Sequence, residues 1–267
     1  MKKETFFELL IIIYFIEFYN PIYSIKNTKL RYLDTNLSSI KITYEGSGTP
    51  YLINEDFNYP PDLISFNGTD YTIEELQSIE LDDNKYYFTL IWNNDITNCS
   101  RMFEGINGIE EIDLSNFDSS KVTDMSSMFN DCENLKSINF LNFNTSQVEN
   151  MAQMFARCPS LTSLDLSNFI TSKVTNFNGM FRRCEALESL NLSNFDTSNA
   201  YDMFYMFGEC YSLTSLDLSN FNTSQVIYFN GMFRGCKALE SLNLSNFDTS
   251  QVNDMSSMFE GCIFYII

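Results

Sequence analysis

Apolar and polar positions repeat along this chain with a period of 26 residues. Six of the cysteines stand 26 residues apart, and the same order of apolar positions precedes each of them. In the first full unit, acidic residues separate Ile109, Ile112 and Leu114, an L-x-x-L-x-L spacing that predicts a strand. A fixed period of this size is typical of a solenoid, in which each unit buries its apolar face against its neighbours.

The second half of the unit has a different spacing. Its apolar positions fall at i, i+3, i+6, i+7 and i+10, which in the first unit are Val122, Met125, Met128, Phe129 and Cys132. This stripe predicts a short helix, for which Ser120 is the expected N-cap. The sequence therefore predicts an α/β solenoid of strand, turn and short-helix units.

Two positions after the strand are predicted to be structural. Asn116 and Phe117 recur in all six units, and Phe195 is the phenylalanine of the fourth. The asparagine amide is suited to backbone groups that a turn leaves unpaired. The phenylalanine is expected to fill the corner.

The phased cysteines are predicted to form a reduced, buried ladder, because a free cysteine packs as a small hydrophobe. Its members are Cys132, Cys158, Cys184, Cys210, Cys236 and Cys262. Disulfide bridges are the alternative in an exported protein. Cys99 lies outside this spacing.

The period also sets the predicted domain boundaries. Six full units occupy residues 106–261 within an array of leucine-rich-like repeats, residues 99–267. Residues 25–98 have no period and are expected to form a β-rich N-terminal cap, with strands at Ser39–Tyr44 and Tyr86–Trp92 and a helical turn or short strand at Thr72–Leu76. The cap interpretation is favoured over a separate binding domain. The apolar, incomplete end at Ile263–Ile267 suggests either a fragment or self-stacking.

The first 24 residues are expected to be a signal peptide. A basic start at Lys2 and Lys3 precedes the apolar run Phe6–Phe18. An uncleaved anchor is the alternative, although the run is short for a membrane span. We therefore expect an extracellular or cell-surface protein with no membrane insertion after cleavage.

Charge and composition narrow the functional classes. The chain has 35 Asp and Glu, 16 Lys and Arg, and no histidine, for a formal charge of −19. Such a balance argues against nucleic acid, which is bound by cationic side chains. Without histidine, Ser-His-Asp and Cys-His catalysis are excluded. We expect no cofactor, no metal and no enzymatic activity, with adjacent pairs such as Glu110-Glu111 acting as solvated charges.

The exposed side of the predicted strands is the candidate ligand-binding surface. Its residues are Glu110 and a ladder of alternating acids and amides: Asp113, Asn139, Asp165, Asn191, Asp217 and Asn243. A calcium row along this ladder is disfavoured, because half of its rungs are neutral. A second row, Ser119 and later threonines, suggests either ordered water, as in ice binding, or turn hydroxyls that bond the backbone. The turn role is favoured.

A family resemblance adds to this interpretation. The phrase DLSNFDSSKVTDMSSMFNDC, residues 113–132, resembles the repeat of BspA-like leucine-rich-repeat surface proteins. ITNCSRMF, residues 96–103, is similar to the lead-in of such arrays, and the resemblance covers about residues 96–262. It implies secretion or surface display, and adhesion or protein binding.

The function expected from these observations is non-catalytic binding of another protein through a solenoid surface. A neutral or basic partner is favoured by the negative charge. A self-associating surface-layer component is the first alternative, and an enzyme with its site in residues 25–98 is the second.

Overall fold

The computed structural model describes residues 37–263 and the backbone of residues 265 and 266. The predicted signal peptide lies outside the described residues. The chain divides into two units, residues 1–37 and residues 38–267. All elements described below belong to the second unit.

The second unit contains a mixed sheet followed by a stack of coils. Its elements are β1 (Ser38–Gly48), β2 (Leu63–Phe66), β3 (Thr69–Tyr71), α1 (Ile73–Leu76), β4 (Leu81–Trp92), β5 (Ile109–Asn116), β6 (Ser137–Asn139), β7 (Ser241–Leu242) and β8 (Tyr265–Ile266). The six-stranded sheet has the order β3-β2-β4-β1-β5-β6, and β7 pairs with β8. Both β-like runs of the cap therefore lie in strands, and Thr72 caps the turn α1.

The sheet joins the cap to the repeat array. β1 pairs antiparallel with β4 on one side and with β5, the first repeat strand, on the other. β5 then pairs parallel with β6 of the next coil. Trp92 packs edge-on against Phe117, with ring centroids 5.6 Å apart. This tryptophan therefore lies between the cap and the array.

The predicted helix in each unit is wrong. Among the described residues of the array, the Met-Phe segment forms consecutive turns, and two residues of each unit have positive φ, for example Ser127 at 55° and Asp131 at 63°. The Met125 N–H donates to the Asn150 carbonyl of the next coil at 3.0 Å. The Met128 N–H instead donates to the Met125 carbonyl at 3.3 Å.

The physical reason is that the backbone alternates between two kinds of partner. A helix needs every N–H to bond within its own segment, whereas here alternate N–H groups reach the neighbouring coil. The side chain of Asp124 reinforces the turn by accepting the Ser126 N–H at 2.8 Å. Ser120 is not a helix N-cap, because the described residues that follow it form turns and no helix. Its own N–H donates to Asp118 Oδ1 at 3.0 Å.

The predicted strand in every unit is also wrong for the middle of the array. Regular strand pairing spans the first two coils and returns at β7 and β8. Between β6 and β7, the extended segments of neighbouring coils form isolated β-bridges, such as the one between Ser189 and Ser215. Beyond β6 the sheet is therefore open, and coil cohesion comes chiefly from the turn segments and the core.

Stacked side-chain ladders form the core. Phe103, Phe129 and Phe155 lie nearly parallel, with successive ring centroids 5.6 Å apart, and the series continues to Phe259. All seven cysteines are free, six of them buried and Cys262 half-buried. Cys99, which the cysteine spacing leaves out, occupies the position of Met125 one coil earlier.

The asparagine and threonine positions that recur in the units bond neighbouring coils. Asn194 donates from Nδ2 to carbonyls of the previous coil, at 2.8 Å to Phe169 and 3.0 Å to Leu166. Thr145 is buried, donates to the Ile170 carbonyl at 3.0 Å and accepts the Ile170 N–H at 2.7 Å. Asn168, Asn220 and Asn246 make the same contacts with backbone carbonyls, whereas Asn116 donates to Ser39 Oγ at 2.8 Å. The threonine hydroxyls bond the backbone of the next coil.

Candidate functional site on the strand face

We define the strand face as the solvent side of β4, β1, β5 and β6. It also includes the residues of later coils that stand a multiple of 26 positions after those of β6. Strand register sets two polar rows across it. The first row is Tyr87, Thr43, Glu111 and Ser137, and the second is Thr89, Lys41, Asp113 and Asn139. The in-phase positions Ser163, Ser189, Ser215 and Ser241 extend the face along the array and are exposed.

These rows line a shallow depression of about 410 Å³. Tyr87 stands at its border with 68% of its surface exposed. Thr43 is buried in the floor and donates from Oγ1 to Glu111 Oε2 at 3.1 Å. The depression thus combines an exposed aromatic ring, one lysine, two carboxylates and one side-chain amide.

Glu110 does not belong to the exposed surface, contrary to the sequence prediction. Its neighbours Glu111 and Ile109 pair with Thr43 and Tyr44 of β1, so the register skips Glu110 at a bulge. The residue is only 3% exposed. A bulge redirects a side chain, which explains why alternation along the strand fails here.

Two lysines hold the Glu110 carboxylate. Lys85 of β4 lies 2.7 Å from Oε2, and Lys136 of the second repeat pairs with Oε1. These contacts, first from Lys136 and then from Lys85, lower the pKa of Glu110 to about 2. The carboxylate therefore ties the cap to two successive coils and is not a solvated charge.

The predicted Asp and Asn ladder lies on the strand face, but its side chains also fold back on the backbone. Each rung accepts the N–H of the residue two positions later: Asp113 from Ser115, Asn139 from Leu141, Asp165 from Ser167, Asn191 from Ser193, Asp217 from Ser219 and Asn243 from Ser245. Hydrogen bonds from Ser167 lower the pKa of Asp165, as those from Ser219 do for Asp217. The Oδ1 atom of each of these side chains therefore has a structural role, while the rest of the carboxylate or amide faces solvent.

The sequence prediction of the binding surface did not include the part of the strand face that β1 and β4 of the cap contribute. Lys41 alternates with buried isoleucines in β1, and Tyr87 precedes buried Phe88 in β4. That alternation marks them as solvent-facing. Only the pairing of β1 with β5 places them beside the repeat ladder, and no local pattern encodes that pairing.

Fold and site together define a class of protein: a capped stack of 26-residue coils with an exposed polar sheet face. The model of the family described as Mycoplasma protein of unknown function, DUF285, matches residues 97–215 and again residues 187–265. These matches cover more than half of the chain, so the chain belongs to this family.

A comparison with solved structures finds a leucine-rich repeat protein from Bacteroides ovatus, with 20% identity and a TM-score of 0.41. The match covers 70% of this chain and 47% of that one, so this chain spans about half the length of that protein. No curated protein matches this chain. Within the described residues, no helix has the length and apolarity needed to span a bilayer.

Proposed function

We propose that this protein is a non-catalytic, secreted or cell-surface interaction protein that binds another protein on its strand face. The observation that carries the proposal is the continuous polar surface across β4, β1, β5 and β6, with Tyr87 exposed at its border. Exposed tyrosines are enriched among the residues that dominate binding energy at protein interfaces. The resemblance to BspA-like surface proteins supports the same proposal.

The charge of the molecule favours a neutral or basic partner. The chain carries a formal charge of −19, and Glu111, Asp113 and Asp165 lie on the strand face. Attraction between opposite charges weakens as salt shortens the Debye length from about 10 Å at 0.1 M to about 3 Å at 1 M. Binding should therefore weaken at high salt.

The structure guides the choice of test variants. Replacing a ladder aspartate would remove a turn hydrogen bond together with the surface charge. Ser163 and Ser215 are exposed and have no side-chain hydrogen bond among the described contacts, so arginine at these positions alters the surface alone. Gln225 is exposed at the turn edge and is suited to be the matched control for arginine.

The experiment begins with a photo-crosslinking residue in place of Tyr87 or Ser163, and in place of Gln225 as control. The partner captured from extracellular material is identified, purified and titrated against the wild type, Tyr87→Ala, Ser163→Arg with Ser215→Arg, and Gln225→Arg. We expect the strand-face variants to lose at least about tenfold in affinity, which is about 1.4 kcal/mol, and the control to bind as wild type. Unchanged binding in the strand-face variants would show that the site is elsewhere.

Localisation requires a separate measurement. We expect the mature chain in the medium or at the cell surface, with an N-terminus near residue 25. A cytosolic chain that still begins at Met1 would contradict the secretion half of the proposal. Protein that crosslinks only to further copies of itself would favour the self-associating alternative.

A further inference from the structure

The cap contains a cavity that is separate from the strand face. It lies between residues 49–60 and α1 and has a volume of about 620 Å³. Its floor is apolar, formed by the buried side chains of Leu52, Phe57, Ile64 and Leu76. Cavities of about 300–1,000 Å³ with mainly apolar linings are typical of small-molecule sites.

Polar and aromatic groups surround the mouth of this cap pocket. Tyr51 is 45% exposed, and its hydroxyl accepts the Glu55 N–H at 2.9 Å, which fixes the ring beside the opening. Glu55 and Gln77 also line the cavity and are exposed. Neither side chain has a hydrogen bond or ion pair among the described contacts.

The walls of the cap pocket are anchored on both sides. Asn54 ties the loop to the first coil, with its N–H 3.0 Å from the Met102 carbonyl and Nδ2 2.9 Å from the Glu104 carbonyl. On the other side, Thr72 and Glu75 form a reciprocal capping box that holds α1. The cavity is thus built between two restrained elements, which favours a preformed site.

The chain segment that forms the cap pocket carries side-chain charge of one sign. Residues 42–84 contain no lysine or arginine. The same segment contains these acids: Glu45, Glu55, Asp56, Asp62, Asp70, Glu74, Glu75, Glu80, Asp82 and Asp83. A cation at the mouth would lie near the Glu55 carboxylate and the Tyr51 ring, and both groups can attract positive charge. An anion would be repelled.

We propose that the cap pocket binds a small organic cation with an apolar body, namely an ammonium group at the mouth and a ring or branched chain on the floor. The combination of a buried apolar floor, an exposed tyrosine and the Glu55 carboxylate beside it carries this proposal. It does not depend on the protein-binding role of the strand face, because the two sites share no lining residue.

The test uses three probes of one shape and different charge: 2-(1-naphthyl)ethylammonium, the corresponding alcohol and the corresponding carboxylate. Binding to the whole protein is followed by titration calorimetry and ligand-observed NMR. We expect the ammonium probe to bind about tenfold more tightly than the alcohol, and the carboxylate more weakly than both. Equal affinities for the three probes, or binding by none of them, would overturn the proposal.

Variants locate the probe. Ile73→Trp and Gln77→Trp fill the cavity from the wall and from the rim, and each should abolish binding of the ammonium probe. Two such variants are needed because either alone could disturb folding, which unfolding midpoints will reveal. Glu55→Gln should reduce the preference for the cation severalfold while the alcohol still binds. Glu80→Gln removes a charge that does not line the cavity, and it should leave the preference for the cation unchanged.

Binding that persists in both tryptophan variants would place the probe elsewhere and overturn the proposal. Equal effects of Glu55→Gln and Glu80→Gln would show that only overall charge matters, which would also overturn it. Strand-face variants such as Ser163→Arg should bind the ammonium probe as wild type. This separates failure of the cap pocket from failure of the proposed protein-binding function.

Discussion

Each buried cysteine of the ladder donates its thiol hydrogen to the backbone of the preceding coil. In the middle of the array, Cys184 Sγ lies 3.0 Å from the Phe155 carbonyl oxygen. Burial raises the pKa of the Cys184 thiol to about 12. Because the thiolate is the reactive form, these side chains should be inert while the protein is folded.

We predict that thiol-reactive dye labels Cys262 first and the buried six cysteines of the described array only after unfolding. Cys262 is half-buried, whereas the others have almost no accessible surface. Mass spectrometry after labelling in buffer and in denaturant, both without reductant, measures the difference. Three intact disulfides, or rapid labelling of all seven thiols in buffer, would contradict the reduced ladder.

Glu110 shows how one bulge changes the role of a residue. Its pKa, about 2 in the folded protein against an ordinary value of 4.5, means that folding favours the ionised form. The stabilisation is fully present above about pH 4.5 and is lost as the pH falls through the folded pKa. Since the paired lysines are half exposed, solvent weakens the contribution.

We predict that Glu110→Gln lowers the free energy of unfolding by about 1–2 kcal/mol at pH 7. The difference from wild type should shrink between about pH 4.5 and pH 2, where the wild-type carboxylate becomes protonated. Urea unfolding at several pH values measures this trend, and Glu111→Gln is the neighbouring control. A difference that stays constant down to pH 2 would show that the ion pairs do not cause it.

At the scale of the repeat element, the turn segment depends on residues in the left-handed region. Gln153 has φ of 57° and is exposed, so its conformation is set by the turn and not by a buried side chain. β-branched residues are strongly disfavoured in this region. The alternation of within-coil and between-coil hydrogen bonds requires that conformation.

We predict that Gln153→Val destabilises the protein by about 1–2 kcal/mol, whereas Gln153→Gly is close to neutral. Gln225→Val is the matched control, because Gln225 is exposed but is not among the residues with positive φ. Denaturant unfolding of the three variants gives the comparison. A helix in this segment would give the opposite order at position 153, since glycine is the poorer helix former.

At the scale of the whole molecule, the array is a one-dimensional stack whose coils bond to the next coil along the chain. The Tyr205 N–H reaches the Asn230 carbonyl at 2.9 Å, and the Met203 N–H reaches the Tyr228 carbonyl at 3.1 Å. The equivalent N–H groups of Met255 and Ser257 have no such partner among the described contacts. Stability in a stack of this kind depends on neighbouring interfaces.

We predict that hydrogen exchange is slow for the amides of Met203 and Tyr205 and fast for those of Met255 and Ser257. The order follows because exchange reports local opening, and an amide with a partner in the adjacent coil opens only with that interface. Mass spectrometry or NMR resolves the two coils. The Met258 amide, bonded within its own coil at 3.3 Å, is the internal control and should fall between them.

The sequence by itself determined the features that depend on local spacing. The period located the stacked phenylalanines, the cysteine ladder and the recurring asparagine position to which Asn194 belongs. Alternation located the strands that contain Lys41 and Tyr87. These features are readable because each residue contacts its own copy one coil away, so repetition in sequence becomes contact in space.

The tertiary structure alone decided the conformation of the turns and the composition of the strand face. An apolar stripe at i, i+3 and i+7 fits both a helix and stacked turns, and hydrogen bonds between coils select the turns. The contact of Thr43 with Glu111 joins residues 68 positions apart, and the two lysines that bury Glu110 come from the cap and from the second repeat. Such pairings depend on strand register across the sheet, which no local pattern of apolar and polar residues specifies.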